Sequence, residues 1–266
     1  MKDFEAAKSL FKDSIDPSFY FDSISSEIAR QKLHEAMTQR MTSLIFVLGE
    51  PGVGKSHMMR LMHGMSQHIC ISLLFEQPFF DLRDLYKVLY EARGLQFDAE
   101  KTFLTYQKEL FEAYAQTPCT IFLDEAQLLS EAQLELIRVL SDTKLFQFIL
   151  AMHTDEGNAL LRKKQFETRS KIVIEYGNLE ASEILRYIRT LLLGNSLGDI
   201  ALMFSTNHAK TIGRYAQGNF RVIKRFLYTL MKLLHFAQKH GLSRYSKLNS
   251  CLLDMAALDC GLIDDK

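Results

Sequence analysis

The 266-residue chain has no tryptophan, only four prolines and only four cysteines. With so little proline it carries no proline-rich linker or low-complexity tract, and no clear repeat. Cys70, Cys119, Cys251 and Cys260 form no C-x-x-C pair and meet no histidine at ligand spacing, which excludes a zinc ribbon or finger. Cys70 and Cys119 fall in apolar, strand-like runs, where cysteine behaves as a small buried hydrophobe. Reduced thiols fit a cytosol. No apolar run reaches the roughly 18 residues that a membrane helix needs. The richest, Phe226 to Ala237, is short and broken by Lys232 and His235. The opening Met1-Lys2-Asp3-Phe4-Glu5 lacks a signal-peptide core. The expectation is a soluble, cytoplasmic protein, peripheral at an inner membrane only through a partner. Net charge is absent too, with 32 Lys+Arg against 32 Asp+Glu, so global charge does not suggest a nucleic-acid binder. The distribution is less even. Leu160 to Ser250 holds 16 Lys/Arg and 5 Asp/Glu, a local balance of +11. Either a basic module packs on an acidic one or faces nucleotide, or this region meets nucleic acid, an anionic membrane or an acidic partner.

What is present is a strong pattern at Gly49-Glu50-Pro51-Gly52-Val53-Gly54-Lys55-Ser56, which fits G-x-x-x-x-G-K-[ST] at every fixed position. The apolar run Leu44 to Leu48 before it reads as a buried strand, and His57 to Met62 after it as a helix start. That order aims backbone N–H groups and a helix N-terminus at one phosphate, and the glycines let the backbone curl around it. Lys55 would reach the β- and γ-phosphates, and the Ser56 hydroxyl would bind Mg²⁺. The nucleotide-contacting set is therefore Glu50, Pro51, Gly52, Val53, Gly54, Lys55, Ser56 and His57.

Some 70 residues on, Ile121-Phe122-Leu123-Asp124-Glu125 is an apolar strand ending in two carboxylates. At the carboxyl end of a parallel sheet, where ligands bind, Asp124 would support the metal and Glu125 would deprotonate an attacking water. Taken alone this pair could be a strand running into a solvated turn; after a phosphate loop it points to hydrolysis.

Strand-like and helix-like segments alternate up to Gly177. Helices are expected over Ser26 to Met41, Asp81 to Arg93, Ala99 to Gln116 and Ser130 to Ser141, the last capped by Ser130. Further strands are expected over His68 to Phe75, Leu145 to Ala151 and Lys171 to Tyr176. This order implies an α/β fold, a parallel five-stranded sheet flanked by helices. After Gly177 only helical spacing remains: Glu180 to Leu193, Thr206 to Gln217, Phe220 to Lys239 and Tyr245 to Leu262. Residues 1–177 are read as the core with its lead-in, and 178–266 as a helical lid.

GEPGVGKS, TIFLDEAQLL, FQFILAMHTDE and the later GNFRVIKRF resemble AAA+ P-loop ATPases, and more narrowly the ATPase module of general secretion pathway protein A. Asp16-Pro17-Ser18-Phe19-Tyr20 resembles that family's lead-in, and the resemblance runs to about Phe236. It implies ATP and Mg²⁺ as ligands and ATP hydrolysis as the activity. It implies three further roles: His153, or Thr154 beside it, contacting γ-phosphate or water, Arg169 as an arginine finger acting in trans, and Arg221 as a second sensor on the lid. It also implies nucleotide-dependent self-association and a membrane-complex partner, in a secretion, type IV pilus or DNA-uptake assembly. The chain holds neither the membrane span nor the peptidoglycan-binding domain usual in that family, so a partner would bring it to the envelope. The end segment, with Asp254, Asp259, Asp264 and Asp265, reads as a capping helix or a docking handle. Two rival readings are an ATP-controlled DNA-binding adaptor of the transposition-helper type, and a chain that holds nucleotide only as a structural ligand.

Overall fold

A computed structural model describes residues 2–12, 20–245 and 247–264. The lead-in residues 16–19 and the acidic Asp265 lie outside the described residues. The chain divides into two compact units: Ser26–Pro51 with Lys55–Tyr176, and Met1–Ser25 with Gly52–Gly54 and Gly177–Lys266.

The first unit is built on five strands: Leu44–Leu48 (β1), Ile71–Phe75 (β2), Cys119–Leu123 (β3), Phe146–Met152 (β4) and Ile172–Glu175 (β5). They pair in the order β2-β3-β4-β1-β5, all parallel. β1, β3 and β4 are buried at every position. That is why they read as continuous apolar runs rather than alternating ones: helices cover both faces of the sheet. On one face Phe146, Phe148, Leu150 and Met152 join Phe46, Ile121 and the tyrosines Tyr86, Tyr106 and Tyr114 in a core. β4 also buries Gln147 on the other face. Its Nε2 donates to the carbonyls of Ala36 (3.2 Å) and Thr42 (2.9 Å), so the polar group is satisfied.

The flanking helices are Ile24–Gln39, Lys55–Ser66, Leu82–Glu91, Phe103–Tyr114, Glu131–Asp142, Thr154–Leu161 and Lys164–Glu167. Ser130 caps Glu131–Asp142 as expected: its Oγ accepts from Gln133 N (3.4 Å), and Gln133 Oε1 accepts from Ser130 N (2.6 Å). Thr154–Leu161 packs closely because Gly157 lacks a side chain. A Cβ there would lie 2.3 Å from Leu48 Cδ2.

The second unit is helical: Phe4–Leu10, Ala181–Gly194, Gly198–Ala201, Thr206–Ala216, Phe220–Lys239 and Ser250–Asp259. Ile184, Ile188, Phe226, Leu230 and Leu234 centre its core. The N-terminal segment, read from sequence as part of the α/β core, packs here instead. Phe4, Ala7 and Phe11 are buried in this core, and the Phe11 ring stands 6.3 Å from that of Tyr187. The expected long helix from Tyr245 to Leu262 begins only at Ser250, where the Asn249 Oδ1 accepts from Leu252 N (3.0 Å). Among the described residues no helix is long and apolar enough to cross a membrane.

Candidate nucleotide-binding site

Parallel strands deliver their following loops to one edge of the sheet. β1 runs into the phosphate loop, β3 into Asp124-Glu125 and β4 into His153. β4 lies between β1 and β3, so His153 emerges between the loop and the carboxylates. The strand ends are tied: Gly49 N donates to Met152 O (3.4 Å), and Asp124 N to Phe75 O (2.9 Å).

Lys55 opens the helix Lys55–Ser66 and is 7% exposed. Its Nζ donates to the carbonyls of Gly49 (2.7 Å) and Glu50 (3.0 Å), which holds the ammonium against the start of the loop. Gly52 and Gly54 take φ of +85° and +114°, a region side-chain-bearing residues rarely adopt. Gly52 has a second reason to be glycine. In the helical unit, to which Gly52–Gly54 belongs, Arg221 N donates to Gly52 O (3.1 Å), and a Cβ on Gly52 would lie 2.8 Å from Arg221 Cβ and 2.9 Å from Asn219 Oδ1. Asn219 lies in the GNFRVIKRF stretch and has the residue type of a helix N-cap. Its side chain caps the helix Phe220–Lys239 by accepting from Val222 N (3.3 Å). Arg221 sits in that helix's first turn and is exposed. Val53 is buried, Pro51 is exposed, and His57 is half-buried in the first turn of its helix.

Asp124 is 7% exposed. Burial pushes its carboxyl above the usual carboxylate range; hydrogen bonds from the Ser56 hydroxyl and the Glu125 N–H oppose that, the Glu125 charge adds to it, and the Lys55 charge opposes it. The Glu125 N–H lies 2.9 Å from Asp124 Oδ1. Glu125 itself adopts a left-handed backbone, φ +50° and ψ 36°, at the end of β3. Such a conformation in a non-glycine residue costs of order 1 kcal/mol or more and clusters at functional sites. The turn separates the two carboxylates in function. Asp124 points into the buried interior beside Ser56, and Glu125 is left 42% exposed. Its Oε2 accepts from Gln127 Nε2 and lies 3.6 Å from His153 Nε2. His153 occupies the N-cap position of the helix Thr154–Leu161 without a side-chain capping bond, its Nδ1 4.0 Å from Glu156 Oε2. Gln127 is a site residue that sequence reasoning misses. Its signal is weak, an amide two residues beyond the acid on a single turn of 3₁₀ helix.

The structure ties Arg169 to another helix. Its guanidinium donates to the Asp142 carboxylate at the end of the helix Glu131–Asp142, which also accepts from Arg138 (3.1 Å).

The residues present suit a magnesium nucleotide. Mg²⁺ takes oxygen donors and is held by one or two protein groups plus phosphate oxygens rather than by a protein cage. The Ser56 hydroxyl bonded to the Asp124 carboxylate is such a pair. Among the described residues no three His, Cys, Asp or Glu side chains gather as a metal cage.

Sheet order, phosphate loop, acid pair and helical C-terminal unit together define the AAA+ P-loop ATPase fold, which implies nucleotide binding. Residues 38–161 match the family model described as AAA domain. Among solved structures the chain is similar to the Aeropyrum pernix ORC2 protein in its ADPNP–ADP complexes (15% identity, TM-score 0.58, covering 94% of this chain and 71% of that one). It is also similar to Cdc6p from Pyrobaculum aerophilum (16% identity, TM-score 0.60, 88% of this chain and 66% of that one). A third similar structure is Drosophila ORC bound to DNA (16% identity, TM-score 0.60, 97% and 70%). No protein of curated function matches the sequence. The narrower resemblance to general secretion pathway protein A is carried by neither the matched family model nor these structures.

Proposed function

We propose that this chain is an ATPase that binds MgATP on Gly49–Ser56, hydrolyses it with Glu125 as base, and uses the cycle to control assembly on DNA. The observation that carries hydrolysis is the division of labour at the end of β3: Asp124 buried against Ser56, Glu125 turned out toward His153. Bound Mg²⁺ would neutralise phosphate charge between Ser56 and Asp124. Lys55 offers a fixed positive charge to the β- and γ-phosphates. A water placed beside Glu125 loses its proton to that carboxylate as its oxygen bonds to the γ-phosphorus and the bond to the bridging oxygen breaks, leaving ADP and phosphate. Gln127 hydrogen-bonds the Glu125 carboxylate and His153 stands beside it. Arg221 is proposed to sense the γ-phosphate, and Arg169 to act in trans after leaving Asp142 in a nucleotide-dependent oligomer.

DNA as partner is supported by the basic C-terminal region, where Lys210, Arg214, Arg225, Lys239, Arg244 and Lys247 are exposed. A solved structure of the same fold, Drosophila ORC, is bound to DNA. The envelope setting, with its membrane-complex partner, rests on sequence resemblance alone. The test is Glu125→Gln. It should bind ATP as the parent does and lose about 10²- to 10⁴-fold in turnover. Unchanged turnover would remove Glu125 from the mechanism. The same variant, trapped with ATP, should shift duplex DNA at low salt and release it as salt rises. No shift at low salt would sink the DNA reading.

A further inference from the structure

At the amino-terminal edge of the sheet, the end opposite the phosphate loop, a cavity of about 250 Å³ opens between the helices Ile24–Gln39 and Lys55–Ser66 and the start of β3. Its walls are of two kinds. Met37, Met62, Met65 and Ile69 give an apolar, adaptable side. Ile69 is 63% exposed at the rim and Met65 37%, so apolar surface continues outward from the cavity. Ser66, Cys70 and Thr120 give a polar side whose hydrogen-bonding capacity is taken up internally: Ser66 Oγ donates to Ser72 Oγ (2.7 Å), and Thr120 Oγ1 to Gln147 Oε1 (3.4 Å).

Arg40 adds a fixed positive charge to this lining. It follows the last turn of Ile24–Gln39 with φ +46°, a position where glycine or asparagine is usual, yet it carries the longest cationic side chain. The guanidinium is half-buried, and burial lowers its pKa; the Cys70 and Cys119 thiols act weakly in the opposite sense. Its hydrogen bond is a long one, 3.4 Å from Nη2 to Cys119 O. Among the described residues no carboxylate pairs with it. A partly desolvated arginine keeps its charge and has fork geometry for a carboxylate or phosphate. An unpaired charge beside a methionine-lined cavity is electrostatically incomplete.

We propose that this cavity is a second ligand site, taking a compact amphiphile with one anionic head bound by Arg40 and an apolar tail laid on Met37, Met62, Met65 and Ile69. The site lies at the far end of the sheet from the phosphate loop, so the inference stands or falls apart from the ATPase reading. Cys70 lines the cavity and reports on its occupancy, while Cys119, fully buried, reports on unfolding. The probe is hexanoate, with acetate as the head without the tail and hexanol as the tail without the charge, all at constant ionic strength. Iodoacetamide labelling of each cysteine in the full chain is followed by peptide mass spectrometry. Saturating hexanoate should slow Cys70 labelling about fivefold or more, as occupancy predicts, while acetate and hexanol leave it unchanged. Arg40→Gln should lose that protection with Cys119 still slow. Met65→Phe, which fills the apolar side and keeps the charge, should lose it too, so a misfolded Arg40 variant does not leave the idea untested. No protection by hexanoate, or equal protection by hexanol or in Arg40→Gln, would overturn the proposal.

Discussion

Glu125 Oε2 lies 3.6 Å from His153 Nε2, the two residues being carried by the ends of neighbouring strands β3 and β4. The histidine also starts the helix Thr154–Leu161, so its backbone is fixed by that helix and its ring stands beside the acid. Gln127 donates to the same oxygen, so a hydrogen bond and a nearby imidazole together restrict how the base can swing away from a water. His153→Ala should leave ATP affinity unchanged and lower turnover roughly 10-fold, the order seen when an orienting partner is lost. Steady-state turnover beside equilibrium nucleotide binding checks both halves.

Asp124 titrates in the opposite sense from a salt-bridged carboxylate. Its pKa is raised in the folded chain, chiefly by burial, so the folded state holds the proton more tightly than the unfolded one. The contribution to stability is therefore fully present below the ordinary aspartate range, near pH ~4, and is lost as pH rises through the raised value. Asp124→Asn should stabilise the nucleotide-free protein at neutral pH, with the gain vanishing as pH falls below ~4. Denaturant titrations of both proteins across that window test it. A constant difference at every pH would refute the burial argument. Magnesium-dependent nucleotide affinity should fall in the same variant.

Gly52 in the phosphate loop and Gly64 in the helix that follows it give opposite predictions. Gly52→Ala must adopt φ +85° and meets Arg221 Cβ and Asn219 Oδ1, neither of which is a flexible tip. The backbone strain alone costs about 1–2 kcal/mol, and nucleotide affinity should drop with it. Gly64, inside the helix Lys55–Ser66, would place a methyl group in open space, with nothing within 4 Å. Gly64→Ala should gain roughly 0.5–1 kcal/mol. Thermal melts with and without ATP separate the two.

Ser130→Ala removes one half of the capping box on Glu131–Asp142 and should cost about 1 kcal/mol. Urea denaturation measures it. Turnover at saturating ATP should hold, because the cap lies outside the phosphate loop and the acid pair.

Ser130 also shows what the sequence makes readable. A cap, an apolar run and a glycine loop are local patterns, and each specifies a local structure. β1, the phosphate loop, β3 with its acids and the helix Phe220–Lys239 can all be found this way. Boundaries set by backbone hydrogen bonds cannot. The second strand, expected from His68, starts at Ile71 because the Ile69 and Cys70 N–H groups both turn back to Ser66 O (2.9 and 3.0 Å). The helix expected from Ala99 starts at Phe103; its Thr102 cap, through Thr105 N (3.3 Å), is a local pattern of the readable kind that the expected start overran. The helix Thr154–Leu161 has no clear signature because its apolar positions are few and its tight seat depends on Gly157 meeting Leu48. In the site, Gln127 takes its place only through Glu125 in the folded turn. The same holds for Gln147, a polar residue in a buried strand whose satisfaction comes from Ala36 and Thr42.

Phe4–Leu10 lies against a core whose other walls come much later in the chain, from Ala181 onward. On the ribosome, the helix Phe4–Leu10 is made before the residues that cover it. Phe4, Ala7 and Phe11 leave the exit tunnel as uncovered apolar surface, and stay so while the whole strand-bearing unit is synthesised and can fold. Only when Phe220–Lys239 has emerged can that surface be covered. The order of synthesis thus makes this segment a waiting part, open to chaperones or to a neighbouring chain until its partners in the helical unit have been made.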